Sequence, residues 1–388
     1  MAVKRIGILT GGGDVPGLNS VIKAVVYRGS EVGFESIGIR RGWEGLTHLD
    51  RGARDRYVMP LDRANTRTID RTGGTFLHSS RTNPAKMKAS KLPPGLEKQA
   101  GRCREVSPGI LDATAVVLEN LQALQIDALV VIGGDDTLSY ASLLDAQGIP
   151  ILAVPKTMDN DVRNTEYCIG FSTAITRAMD AVNRQRSTVG SHERVGVFRV
   201  FGRDAGYTAL YTAYVTSCRC AIPEYKFDLE KMIRLLLTDK HENPSNYSMV
   251  ILSEGAEWVN YKVQEYGPED AFGHRKKMSV AEAFSAEIMS AADVETVVSN
   301  LTYDLRSGEA DFVDKMVANT FAGMAFDCIL DARSGVMTAI SDGRYTLVDI
   351  PDPLLGPRKV DVETMYNTER YRPSYNKKLG LGLFLSRP

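Results

Sequence analysis

Three short apolar runs open into glycine- and aspartate-rich loops in the same manner, and no other feature constrains this chain as tightly. They are ILTGGGDVPG at Ile8 to Gly17, VVIGGDDT at Val130 to Thr137, and VPKTMDNDV at Val154 to Val162. Each has the form of a buried strand emerging into a turn. Between such runs lie helical patterns, the alternation of a mostly parallel sheet covered by helices. Strands are expected at Ile6 to Leu9, Ser36 to Ile39, Ala128 to Ile132, Ile151 to Val154, Val195 to Val200 and Met249 to Leu252. Helices are expected at Leu18 to Arg28, with Asn19 as a cap, and at Leu111 to Leu124, Ser139 to Gln147 and Ser172 to Arg186.

At 388 residues the chain exceeds one ordinary core, and two domains are expected. Basic and acidic residues nearly cancel, 47 against 48, so no bulk attraction to nucleic acid or to a membrane surface follows. An anionic ligand must therefore be met by local charge. The five cysteines lack the paired spacing of a zinc site and suit a reducing cytosol, so a cytoplasmic location is expected. The apolar start is too short for a secretory signal, and no uncharged apolar run reaches membrane-spanning length. From Arg81 to Pro108 the chain is rich in Lys, Pro, Gly and Ser and reads as a surface insertion without a continuous element, either a lid over an anion or a solvated loop.

In an open parallel sheet, ligands bind at the carboxyl ends of the strands, so the three loops are expected to converge. Gly11, Gly12 and Gly13 let the backbone approach a phosphate, with the following helix aimed at it, although such a run also serves as a plain tight turn. It fits neither the P-loop nor the dinucleotide pattern. Asp135 and Asp136 repel one another unless a cation sits between them, and Mg²⁺ suits a site beside phosphates. The plainer alternative is a turn with an aspartate cap. Lys156, Asp159 and Asp161 supply a base, a carboxylate for a metal's surroundings and a cation for developing phosphoryl charge.

Together these loops resemble the phosphofructokinase family. GGTFLHSSRTNP at Gly73 to Pro84, SHERVGVFRVFGRDAG at Ser191 to Gly206, ILSEGA at Ile251 to Ala256 and DAFGH at Asp270 to His274 extend the likeness in the same order. The resemblance implies an α/β fold with two similar-sized, doubly wound, mostly parallel-sheet domains facing across a cleft. One would comprise residues 1–170 and 305–353 and bind donor and Mg²⁺; the other, residues 171–304 and 354–388, would bind the sugar phosphate. It implies Asp159 as the base, Asp135 as the Mg²⁺ ligand, and Gly12, Gly13 and Arg81 at the donor. Thr157, Phe201, Gly202, Arg203 and Glu254 would hold the sugar, and Arg194 would reach in from a neighbouring subunit of a homodimer or homotetramer.

Two departures from the family pattern bear on the substrates. Where ATP-using relatives generally carry glycines, this chain has Asp136 and Lys156, which implies pyrophosphate as donor. Where many relatives have an arginine and a histidine for the sugar phosphate, this chain has Val297 and Tyr303, with Arg306 retained. Fructose 6-phosphate is the leading acceptor, ahead of sedoheptulose 7-phosphate, and ATP is the alternative donor. A non-catalytic regulatory subunit would lack a base or metal ligand, yet Asp135, Asp159 and Asp161 are present. Taken alone, Arg203 and Glu254 would more often form a surface ion pair, and Tyr303 would more often pack in a core.

Overall fold

The computed structural model describes residues 5–49, 52, 56–92, 102–262, 265–266, 276–277 and 279–374. Counting only the strands of the two main sheets, these are β1 Arg5–Thr10, β2 Glu35–Ile39, β3 Val58–Leu61, β4 Ala128–Gly133 and β5 Ile151–Pro155. Further along come β6 Val195–Val200, β7 Arg219–Ala221, β8 Ser248–Ser253, β9 Thr296–Asn300, β10 Val336–Ser341 and β11 Arg344–Asp349. A seven-stranded sheet runs β11-β10-β5-β4-β1-β2-β3, parallel except for its antiparallel outer strands β3 and β11. A four-stranded sheet runs β7-β8-β6-β9 and is parallel throughout. The sheets therefore differ in size, because β3, β10 and β11 widen the first.

The apolar strands are continuous because helices cover both faces of the sheet. Val130 and Ile132 pack with helices Leu18–Glu31 and Phe312–Leu330, while Leu129 and Val131 pack with Thr114–Leu124 and Asp135–Asp145. Alternation along one strand thus feeds two cores.

Several local expectations need correction. Gly17, not Asn19, precedes the first helix; the buried Asn19 side chain instead accepts from Phe76 N at 2.7 Å, tying down the Thr72–Phe76 turn. The helix expected from Leu111 starts at Thr114, because Ile110–Asp112 pairs as a strand. The helix placed at Ser139 begins at Asp135, since Gly134 supplies the bend that starts it. The described part of the insertion is not structureless: Met87–Lys88, Arg104–Ser107 and Ile110–Asp112 form a small antiparallel sheet. The DAFGH segment and residues 375–388 lie outside the described residues.

The chain leaves the first sheet after β5, builds the four-stranded sheet, and returns for β10 and β11. A fully buried carboxylate, Asp314, fastens the crossing. It accepts from Tyr167 Oη at 2.6 Å, Gly170 N at 2.7 Å and Thr173 N at 2.8 Å. In this way it satisfies buried backbone donors at the start of helix Phe171–Ser191 that have no partner within the helix. Burial still pushes its pKa up to about 6, against the opposing pull of these hydrogen bonds.

Candidate functional site

In each sheet the connections leaving two adjacent strands run in opposite directions, from β1 and β4 in the first and from β6 and β8 in the second. Such switch points leave crevices at the strand ends. Both open onto one cavity of about 700 Å³, lined from one side by Gly12, Gly13, Asp135, Asp136, Lys156, Thr157, Asp159 and Asp161, and from the other by Phe201, Arg203, Glu254 and Arg306. Arg81 is exposed at its edge. A cavity of about 620 Å³ between helices Leu229–Glu242 and Val280–Ala292 contains none of the expected site residues. Convergence of charge, rather than size, singles out the first.

The glycine loop is shaped for close approach. Gly12 has φ +78°, where a side chain is strained, and a Cβ on Gly13 would lie 2.9 Å from Arg306 Nη1. Gly11 N and Gly12 N already donate to Ile132 O and Ser80 O. The helix after this loop starts only at Leu18, in the buried interior. The helix whose first turn lines the cavity is instead Asp135–Asp145, through Gly134 to Ser139. Its N-terminus carries Asp135 and Asp136, where negative charge is favoured. Trp43 anchors it by donating from Nε1 to Thr137 O at 3.2 Å and lying edge-on to Tyr140. Neither aspartate caps the helix, so the plain capping alternative does not hold.

Lys156 is buried between the loops, and its Nζ donates to Gly13 O at 2.6 Å. No ion pair joins it to Asp136 among the described residues. Burial lowers its pKa to about 8, with Asp14 opposing the shift. The next loop turns through Asn160, at φ +54°, a conformation asparagine tolerates. The Asn160 side chain holds the turn from within, accepting from Cys168 N at 2.8 Å and donating to Glu166 O at 3.0 Å. On either side sit Asp159 and Asp161. Burial and then the charges of Asp161, Glu254 and Asp204 push Asp159 up to about 7, and its Oδ1 is buried without a hydrogen-bond partner. Burial, then Asp161 and Asp136, likewise raise Asp135 to about 7. Asp161 is also raised, mainly by burial, while a hydrogen bond from Thr157 opposes the rise.

Arg163, Arg203 and Arg358 only partly offset the burial and repulsion of these carboxylates, a surplus of negative charge that suits Mg²⁺. Among the described residues no three His, Cys, Asp or Glu side chains are grouped to hold a metal by themselves. Mg²⁺ fits nonetheless, since it commonly takes one or two carboxylates and completes its shell with waters and phosphate oxygens.

On the opposite side, Glu254 is paired with Arg199 at 3.3 Å and Arg203 at 3.7 Å. Gly202 is not a lining residue; its carbonyl accepts from Ser253 Oγ at 2.6 Å and braces the loop that carries Arg203. Arg306 lies 3.6 Å from Asp14 and over the ring of Tyr303, 4.7 Å from its centroid. Tyr303 is 66% exposed and stacks edge-on against Phe201 without lining the cavity itself, so it is a surface residue and not core packing. Val297 lies in mid-strand on β9, packed against the core and away from the cavity. Arg194 also lies outside the cavity, bound to Glu295 at 2.5 Å. Sequence reasoning missed Asp14, though it lies within the quoted glycine motif, and Pro351, Asp352, Pro353, Gly356 and Pro357, for which no motif gave a signal.

The family model described as Phosphofructokinase matches residues 5–329. A pyrophosphate–fructose 6-phosphate 1-phosphotransferase of Dictyoglomus thermophilum is 35% identical, across 90% of this chain and 93% of its own length. ATP-dependent 6-phosphofructokinase 3 of Streptomyces coelicolor is 32% identical, across 90% and 94%. Among solved structures, a pyrophosphate-dependent phosphofructokinase from Nitrosospira multiformis shares the fold, with a TM-score of 0.74 at 19% identity over 96% of this chain and 89% of that one. The chain belongs to the phosphofructokinase family and is an enzyme of that family.

Proposed function

We propose that this enzyme transfers a phosphoryl group from pyrophosphate to the 1-hydroxyl of fructose 6-phosphate, with Mg²⁺, giving fructose 1,6-bisphosphate and phosphate. The observation that carries the reading is the pairing of two features on one cavity. Asp159 has a buried, unpartnered oxygen and a pKa near 7, and the buried Lys156 lies beside the glycine loop. A base needs a pKa near the working pH and a free oxygen to receive the proton.

In this reading Asp159 takes the hydroxyl proton as the sugar oxygen bonds to phosphorus and the bridging P–O bond of pyrophosphate breaks. Phosphate leaves with the bridging oxygen. Lys156 and Arg81 offset charge on the phosphoryl oxygens, while Gly12 and Gly13 allow the donor close approach. Asp135 would hold Mg²⁺, with Asp136 and Asp161 nearby; when bound, the ion supplies charge neutralisation to the donor. Asp136 sits at the first helical turn, where its charge disfavours the longer polyphosphate of ATP, and Lys156 complements pyrophosphate. Thr157, Phe201, Gly202, Arg203 and Glu254 shape the sugar site, and Tyr303 and Arg306 take its phosphate. Arg194 is assigned to a neighbouring subunit's site in a homodimer or homotetramer. The donor half is residues 1–170 with 305–353, and the acceptor half is 171–304 with 354–388; Arg306 stands at the boundary, packed on the acceptor-side rings of Phe201 and Tyr303.

A coupled assay with fructose 6-phosphate, offering pyrophosphate and ATP separately, tests the reading. Turnover with pyrophosphate well above that with ATP is expected. Comparable use of ATP overturns the donor assignment, and preference for an unphosphorylated sugar overturns the acceptor assignment.

A further inference from the structure

The family match ends at residue 329, yet Pro351, Asp352, Pro353, Gly356 and Pro357 line the cavity. This strap is fastened to the loop that carries Asp159. Arg163 donates from Nε to Gly356 O at 2.7 Å and from Nη2 to Leu355 O at 2.8 Å. Arg358 N donates to Asp161 O at 2.6 Å. Its guanidinium Nη2 donates to Asn160 O at 2.6 Å and to Glu166 O at 3.2 Å.

The Asn160 contact falls where the loop needs it. Asn160 is buried and turns through positive φ, between Asp159 and Asp161. A buried carbonyl requires a donor, and Arg358 supplies a charged one. The other end of the strap is fixed to the second sheet's helix Tyr207–Thr216. Arg358 lies over the Tyr207 ring, 4.4 Å from its centroid, and Tyr207 Oη donates to Lys359 O at 2.6 Å. Val360 N donates to Glu224 Oε1 at 2.8 Å, the same oxygen that accepts from Gly206 N. Arg358 therefore ties the turn between the two aspartates to the opposite half of the cavity.

We propose that Arg358 is a positioning residue for phosphoryl transfer, holding the turn at Asn160 so that Asp159 meets the acceptor hydroxyl. The proposal rests on Asp159 as the base, and the test separates the two. Arg358→Met keeps the stem and removes the donors; Arg358→Lys keeps a charge and a donor. With whichever donor the parent enzyme uses, Met should lower kcat by about 10- to 100-fold and Lys by about two- to fivefold, with both Michaelis constants within about threefold. In an Asp159→Asn background, the Met substitution should lower kcat no further, because the group it positions is gone. If Arg358→Met does not fold by circular dichroism, Arg358→Lys carries the same kcat and KM split and the same cycle. Unchanged kcat, a loss carried equally by KM, or an effect that persists in full on Asp159→Asn overturns the role of Arg358. Near-parental turnover by Asp159→Asn alone overturns the base assignment instead.

Discussion

The two sides of the cavity hold their charges in opposite conditions. On the seven-stranded side, burial and mutual repulsion raise Asp135 and Asp159, and one Asp159 oxygen has no partner. On the four-stranded side, Glu254 is paired with Arg199 and Arg203, and Arg306 has crossed over to Asp14. The first side is short of compensating charge, and a bound cation or a proton taken up from the substrate relieves it. The second is internally compensated, so a substrate must compete with existing partners. Chemistry belongs with the first condition and recognition with the second.

The largest test of this contrast is Asp159→Asn. Steady-state turnover should fall by about 10² to 10⁴ while the sugar Michaelis constant changes little. Near-native turnover would remove the chemical role from the first side. On the second side, Arg306→Ala should raise the acceptor Michaelis constant about ten- to a hundredfold through loss of a charge-assisted contact. A larger effect on the donor constant would assign Arg306 to the glycine loop it touches.

Replacing Asp136 and Lys156 together by Gly should lower kcat/KM for pyrophosphate by about tenfold or more and improve the ratio of ATP to pyrophosphate use. An unchanged ratio in competition assays refutes their part in donor choice. Asp159 must be ionised to accept a proton, so kcat/KM should fall as pH drops through about 7. A profile flat from pH 6 to 8 contradicts this.

The smallest expected effect is on stability. The folded pKa of Asp159 lies above its ordinary value of 3.8, so its stability contribution is greatest at low pH and is lost as pH rises towards about 7. At pH 8 its ionised form is a burden, and Asp159→Asn should be more stable than the parent by about 1–3 kcal/mol in urea unfolding. At pH 4 the difference should vanish. A variant less stable than the parent at pH 8 shows that the carboxylate is compensated after all.

The strands were legible because β1, β4 and β5 are buried on both faces and carry unbroken apolar runs. The convergence of their loops followed from parallel-sheet geometry alone. The start of the helix at Asp135 was not legible, since two adjacent acids read equally well as a loop. The antiparallel sheet in the insertion gave little signal because Arg104–Ser107 is exposed along its length and lacks alternation. Arg358 was invisible for another reason: it meets Asn160 across 198 residues of sequence, and a backbone carbonyl as partner leaves no trace in residue type.

The return of the chain to its first sheet has a consequence for synthesis. During translation β5 is made before any of the four-stranded sheet, but its neighbour β10 is made only after all of it. Until then Ile151–Pro155, buried throughout in the finished protein, presents an apolar strand with one side unpaired. Such edges recruit other chains. A nascent chain stalled at residue 329, where the family match ends, would carry most of the cavity and still expose that edge, so the last two strands act as the molecule's own protection against aggregation.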